Sequence, residues 1–213
     1  MKLRMPVTVA AIAVALFVAA LAGCASMSTG GTFSLSTTAV SGPPETGFDS
    51  GLVSIGRLNS MYGAAPGGPA NNRSFPFTWR NVPAGTKALA VILDDPDARL
   101  VLKAYGRTGD FFLHWAATDI DPSLGGLPDN AAATMSITQG TNGGGAVGYQ
   151  APTPPADVPK DTNKVRIHVY RLKVYALSAP TGLPAGFTLD QLQAAIKNTT
   201  LGMAQLNISY SNQ

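Results

Sequence analysis

The stretch VRIHVYRLKVYAL, Val165 to Leu177, decides the fold class. Val165, Ile167, Val169, Arg171, Lys173, Tyr175 and Leu177 share one face, and Arg166, His168, Tyr170, Leu172, Val174 and Ala176 share the other. A period of two over this length predicts a β-strand. Working outward, Lys87 to Leu93 (KALAVIL) is a short apolar run between the turn Val82-Pro83-Ala84-Gly85 and the polar corner Asp94-Asp95-Pro96-Asp97. That fits a buried strand better than a helix of ten or more residues. Phe111 to Asp119 (FFLHWAATD) reads as another core strand, Leu52 to Leu58 as a short one, and Thr32 to Thr37 as an extended segment. One helix is predicted, Leu189 to Lys197, with Thr188 as N-cap and Asp190 and Gln191 in its first turn. A second short helix or turn is predicted over Leu201 to Leu206.

Composition agrees with a mainly β chain. Among 213 residues there are 23 Gly and 16 Pro, and only 13% are charged, which argues against bundles and coiled coils. A hydrophobic content of 45% with a net charge of +3 argues against disorder.

The first residues stand apart. Lys2 and Arg4 precede Val7 to Ala22, in which only Thr8 is not apolar. A charged start and a run of about 24 Å as helix is the layout of a secretory signal, and is short for a membrane span. The run ends in Leu21-Ala22-Gly23-Cys24, which resembles the lipobox of bacterial lipoproteins, where the signal is cut before a lipid-bearing cysteine. Cys24 is the one cysteine of the chain, so it has no internal disulfide partner. Cleavage there removes Lys2 and Arg4 from the 15 basic residues, leaving 13 against 12 acidic and a net charge of +1. No Lys/Arg cluster remains to form a nucleic-acid footprint. Ala25, rather than aspartate, follows Cys24, which in Gram-negative lipoproteins points to the outer membrane. The expected organisation is a signal over residues 1–23, a Ser/Thr/Gly-rich tether over 24–46 and one domain over 47–213.

Few residues are equipped for chemistry. His114 and His168 both fall in predicted core strands, where an imidazole is either a satisfied core residue or part of a site. Tyr170, two residues on from His168, shares its face, so phenol and imidazole can point into one cavity. Asp95 and Asp97 flank Pro96 at a strand end, held in a defined relative direction or serving as turn acceptors. Gly143-Gly144-Gly145 forms a loop whose N–H groups can approach a ligand, although it matches neither usual phosphate-loop pattern. There is no Gly-x-Ser-x-Gly elbow, and no close pair of metal ligands. No catalytic set, metal or cofactor is expected.

In order along the chain, Val82-Pro83-Ala84-Gly85-Thr86-Lys87, Asp95-Pro96-Asp97-Ala98, His114-Trp115, Gly148-Tyr149 with Pro154-Pro155, and His168 and Tyr170 before Val174-Tyr175-Ala176-Leu177 resemble the phosphatidylethanolamine-binding protein family, in its bacterial Raf kinase inhibitor-like branch. The resemblance runs from about Gly51 to Tyr210. It implies an antiparallel β-sandwich with a few short peripheral helices and a small anion pocket at one end. By that resemblance Asp95, Asp97, His114, Pro155, His168 and Tyr170 line the pocket, which takes phosphate or a phospholipid head group. The family pattern is broken at Arg99 and Val169, and at Ser74-Phe75-Pro76, where the proline is displaced by one; Ala156 to Lys164 is an extended loop. The expectation is a lipid-anchored binding protein of the cell envelope, on the periplasmic side. The alternative is a regulator that inhibits an envelope enzyme by protein contact through Ala156 to Lys164 and Arg99 to Arg107.

Overall fold

The computed structural model describes residues 31–63, 72–154 and 167–211. Cys24 and its leader, Pro155 and the Ala156 to Lys164 loop lie outside them. In chain order the strands are β1 (Ser34–Ser36), β2 (Val40–Ser41), β3 (Arg57–Leu58), β4 (Phe77–Arg80), β5 (Ala88–Asp95), β6 (Phe112–Ile120), β7 (Gly126–Leu127), β8 (Thr138–Gln139), β9 (His168–Leu177) and β10 (Thr200–Tyr210). Helices α1 (Arg99–Ala104), α2 (Ala131–Thr134) and α3 (Leu189–Ile196) are short. Seven strands form one sheet in the order β2-β3-β10-β9-β5-β6-β8, and β1-β4-β7 form a second. Pairing is antiparallel throughout except where β3 lies parallel to β10, so the sandwich expected from sequence is mixed at that position.

All eight residues of β5 are buried because both faces of its sheet are covered. On one face Leu89, Val91 and Leu93, with Leu172 and Val174 of β9, meet Phe77, Trp79 and Leu127 of the smaller sheet. On the other, Ala90, Ile92 and Leu177 meet Phe187 and the α3 residues Leu192 and Ile196. Helix α3 starts where the sequence predicts, with Thr188 Oγ1 accepting from the Gln191 N–H and the Gln191 side chain accepting from the Thr188 N–H. Arg171 and Lys173, the charged interruptions of the alternating strand, are explained by Asp94. Its buried carboxylate accepts from Arg171 Nε at 2.5 Å and Lys173 Nζ at 2.6 Å across the β5–β9 pair.

Three sequence expectations are corrected. Leu201 to Leu206 is not a helix or turn but the first half of β10, paired along β9 from Thr200↔Leu177 to Tyr210↔His168. Its Leu, Met, Ala and Gln residues favour helix locally, yet Ala204, Leu206, Ile208 and Tyr210 alternate into the core, and burial outweighs propensity. Residues 31–46 are not all tether: Leu35 of β1 pairs with Trp79, and Ala39 is buried in the core. Of Leu52 to Leu58 only Arg57–Leu58 is strand, with Val53 bridged singly to Thr46.

The β10 assignment predicts opposite outcomes for two substitutions. Ile208→Ala, fully buried against β9, lowers unfolding stability by about 3 kcal/mol, whereas Met203→Ala, on the exposed side of the same strand, changes it by no more than about 0.5 kcal/mol. Urea unfolding of both variants measures the difference.

Candidate functional site

The site lies where β5 ends and β6 and β9 begin. Pro96 lacks a backbone donor and cannot continue the β5 ladder. The chain turns there through Pro96–Ala98 into α1. The two aspartates of this corner have separate tasks. Asp95 Oδ1 accepts from the Ala98 N–H at 3.1 Å, and its Oδ2 lies 2.7 Å from His168 Nδ1. Asp97 faces the other way. Its Oδ1 accepts from the N–H groups of Asp49 at 2.8 Å and Ser50 at 2.6 Å, and its Oδ2 from Ser50 Oγ at 2.9 Å and the Val169 N–H at 2.8 Å. With β5 already ended, the Asp97 carboxylate takes a β9 donor that a longer strand would have bonded.

A β-bulge aims His114. Leu93 of β5 pairs with Trp115 and Asp94 with Leu113, so His114 is the extra residue between them. Such a bulge redirects a side chain that regular alternation would send to the opposite face. His114 and Trp115 therefore both serve the inner face: Trp115 joins the main core, and the His114 ring meets Tyr170 edge-on with centroids 5.1 Å apart. His114 Nδ1 lies 2.8 Å from the Gln150 carbonyl, and its Nε2 is 4.0 Å from Asp95 Oδ2.

Asp95, His114, His168 and Tyr170 line a cavity of about 230 Å³, with Phe112, Arg107 and Gln150 among its other walls. Among the described residues, Tyr170 Oη and His168 Nε2 are buried and have no hydrogen-bond partner. Burial pushes the Tyr170 phenol well above its ordinary pKa, reinforced by the Asp95 charge, so it remains an O–H donor. Burial likewise holds the His114 pKa below its ordinary value, against the opposing pull of Asp95 and the Gln150 carbonyl. At the mouth, the Arg107 guanidinium sits 5.9 Å over the Phe112 ring and donates to the Gly143 carbonyl at 2.7 Å.

Four of the six pocket residues expected from sequence thus meet around one cavity. Asp97 does not line it, because its oxygens are occupied by the 49–50 turn and β9, and Pro155 lies outside the described residues while Pro154 forms part of the wall. The glycine loop does not supply its N–H groups. Gly143 N–H goes to the Leu113 carbonyl, Gly144 N–H to Asn142 Oδ1 and Gly145 N–H to the Asn142 carbonyl. Arg99 is also absent from the walls and pairs with Asp49 instead. Phe112 and Arg107 were missed. Phe112 was legible as the residue two before His114 on its strand, whereas nothing in the sequence marks Arg107. Among the described residues, no group of three or more His, Cys, Asp or Glu is placed to hold a metal ion.

Asp97→Asn presents an N–H₂ group to at least one donor that now meets an oxygen. It is expected to destabilise the fold by about 2 kcal/mol in thermal or urea unfolding, and to increase amide exchange at Asp49, Ser50 and Val169.

Comparison with known proteins places this geometry. Residues 51–211 match the family model described as phosphatidylethanolamine-binding protein. A UPF0098 protein of Methanothermobacter thermautotrophicus is 32% identical over 155 residues, covering 71% of this chain and 88% of that protein. The lipoprotein-named LppC of Mycobacterium tuberculosis is 35% identical over 133 residues, 62% of this chain but only 56% of LppC. Among solved structures, a phosphatidylethanolamine-binding protein homologue from Chlamydia trachomatis superposes with a TM-score of 0.63 at 24% identity, over 84% of this chain and 96% of that one. Escherichia coli YbcL, described as a member of the mammalian family, gives 0.63 at 23%, over 84% and 97%. With the family model spanning most of the sequence and the sandwich matching its solved members, the chain belongs to the phosphatidylethanolamine-binding protein family.

Proposed function

We propose that this chain is a binding protein of the cell envelope, anchored by lipid at Cys24, whose cavity takes a small phosphate-type oxyanion, free or as a lipid head group. The observation that carries the binding reading is the pair of unpartnered buried polar atoms, Tyr170 Oη and His168 Nε2, on residues that line one cavity. Leaving such groups without partners costs about 1–3 kcal/mol each, a cost that a ligand offsets by bonding both. The volume of about 230 Å³ suits a small ion or head group, being below the roughly 300 Å³ at which pockets for drug-sized ligands start.

Binding is favoured over turnover. Among the described residues, the cavity walls hold an imidazole pair and a phenol but no Ser or Cys beside a base, and the reading needs no cofactor. The envelope location is supported by the apolar leader run that ends in Leu21-Ala22-Gly23-Cys24 and by the relative named as a lipoprotein.

Two measurements test the two halves. Isothermal titration of the purified chain with phosphate is expected to give saturable heat at millimolar ligand or below. Tyr170→Phe should weaken binding by about tenfold, the equivalent of one hydrogen bond; no saturable heat would refute the pocket assignment. Metabolic labelling with an alkynyl fatty acid should mark the wild-type chain and not Cys24→Ser, and equal labelling of both, or of neither, removes the anchor.

A further inference from the structure

The positions of the protons in this cavity narrow the ligand. A carbonyl and a carboxylate can only accept, so the proton of each neutral imidazole is fixed by its partner. His114 Nδ1 donates to the Gln150 carbonyl at 2.8 Å, and His168 Nδ1 donates to Asp95 Oδ2 at 2.7 Å. In the neutral form of either ring Nε2 is then left as a bare lone pair. His114 Nε2 is 4.0 Å from Asp95 Oδ2, and His168 Nε2 is buried without a partner.

A ligand oxygen facing either lone pair needs a proton between the two atoms. The proton is taken from solvent onto the ring, or it arrives on the ligand. At His114 burial disfavours the first route without forbidding it. His114 is surrounded by Asp95 of β5, His168 and Tyr170 of β9, Phe112 of its own strand and the Gln150 carbonyl, with Asp94 further off. Burial keeps its neutral form. His168 is packed between Phe48 and Tyr170, with Asp95 at its Nδ1. Apart from the two rings, the charged walls among the described residues are Asp95 and Arg107, one of each sign. A fully ionised dianion would meet the Asp95 carboxylate and the His114 lone pair, with Tyr170 as the main buried donor.

Resting on the oxyanion reading above, the geometry points to an oxyanion that carries its own acidic hydroxyl: hydrogen phosphate or a phosphomonoester, in preference to sulfate or the phosphodiester of an intact phospholipid. The ligand hydroxyl donates to an imidazole Nε2, while its ionised oxygens accept from Tyr170 Oη. The source is either free phosphate or a head group already released from its lipid.

The full chain in maltoside micelles is titrated near pH 6, where a phosphomonoester with a second pKa of about 6 is partly protonated. The four probes are inorganic phosphate, phosphoethanolamine, glycerophosphoethanolamine and sulfate. Phosphate and phosphoethanolamine are expected to bind at least about tenfold more tightly than the other two. A preference between those two favoured probes separates a free ion from a released head group. Titrations in buffers of different ionisation enthalpy should show that any sulfate binding takes up more protons than phosphate binding. Asp95→Asn supplies a gain-of-function arm. The Ala98 N–H holds the Asn oxygen, so its N–H₂ faces His168 Nδ1, the ring changes tautomer and Nε2 becomes a donor. Sulfate and the diester should then gain about tenfold relative to phosphate. Equal affinity of all four probes for the wild type, without excess proton uptake by sulfate, overturns this inference. Absence of binding by any probe between about pH 5 and 8 overturns the oxyanion reading beneath it.

Discussion

The corner Asp95-Pro96-Asp97 is the constraint on which the rest of the site depends. Proline stops β5 while the neighbouring β9 still has a backbone donor to satisfy, and it leaves two carboxylates buried at a sheet end. The chain resolves this by dividing the work. Asp97 takes backbone and hydroxyl donors from the 49–50 turn and β9, closing the ladder. Asp95 caps the turn with one oxygen and orients His168 with the other. The cavity is the space left between this corner and the bulged start of β6.

Much of the framework was legible because burial imposes periodicity. The alternation through His168 to Leu177 placed His168 and Tyr170 on one face, and β9 keeps them there, with Leu172, Val174 and Ala176 continuing into the core. The salt bridges from Arg171 and Lys173 to Asp94 show why charged residues interrupt the opposite face without breaking the strand.

What was not legible depends on long-range pairing. Leu201 to Leu206 reads as a short helix or turn, and only the presence of β9 beside it makes an eleven-residue strand favourable. Strict alternation would put His114 and Trp115 on opposite faces; the bulge against Leu93 and Asp94, invisible in one strand's sequence, puts both inside. The separation of Asp95 from Asp97 is of the same kind. Spacing gave two carboxylates at one corner, but their directions are set by donors from the 49–50 turn, nearly fifty residues away.

These constraints converge on one chemical property: two imidazoles whose Nδ1 protons are committed to acceptors of the protein, with burial leaving Nε2 of His114 without a hydrogen. That is the central claim, since both the cavity's ligand and its proton requirement follow from it. Long-range ¹H–¹⁵N correlation spectra of the histidine side chains, recorded on the ligand-free chain near neutral pH, test it directly. The structure predicts that Nδ1 carries a proton in both His114 and His168, and that Nε2 of His114 is unprotonated. A ring of either residue without a proton on Nδ1, or a protonated Nε2 at His114, would contradict it.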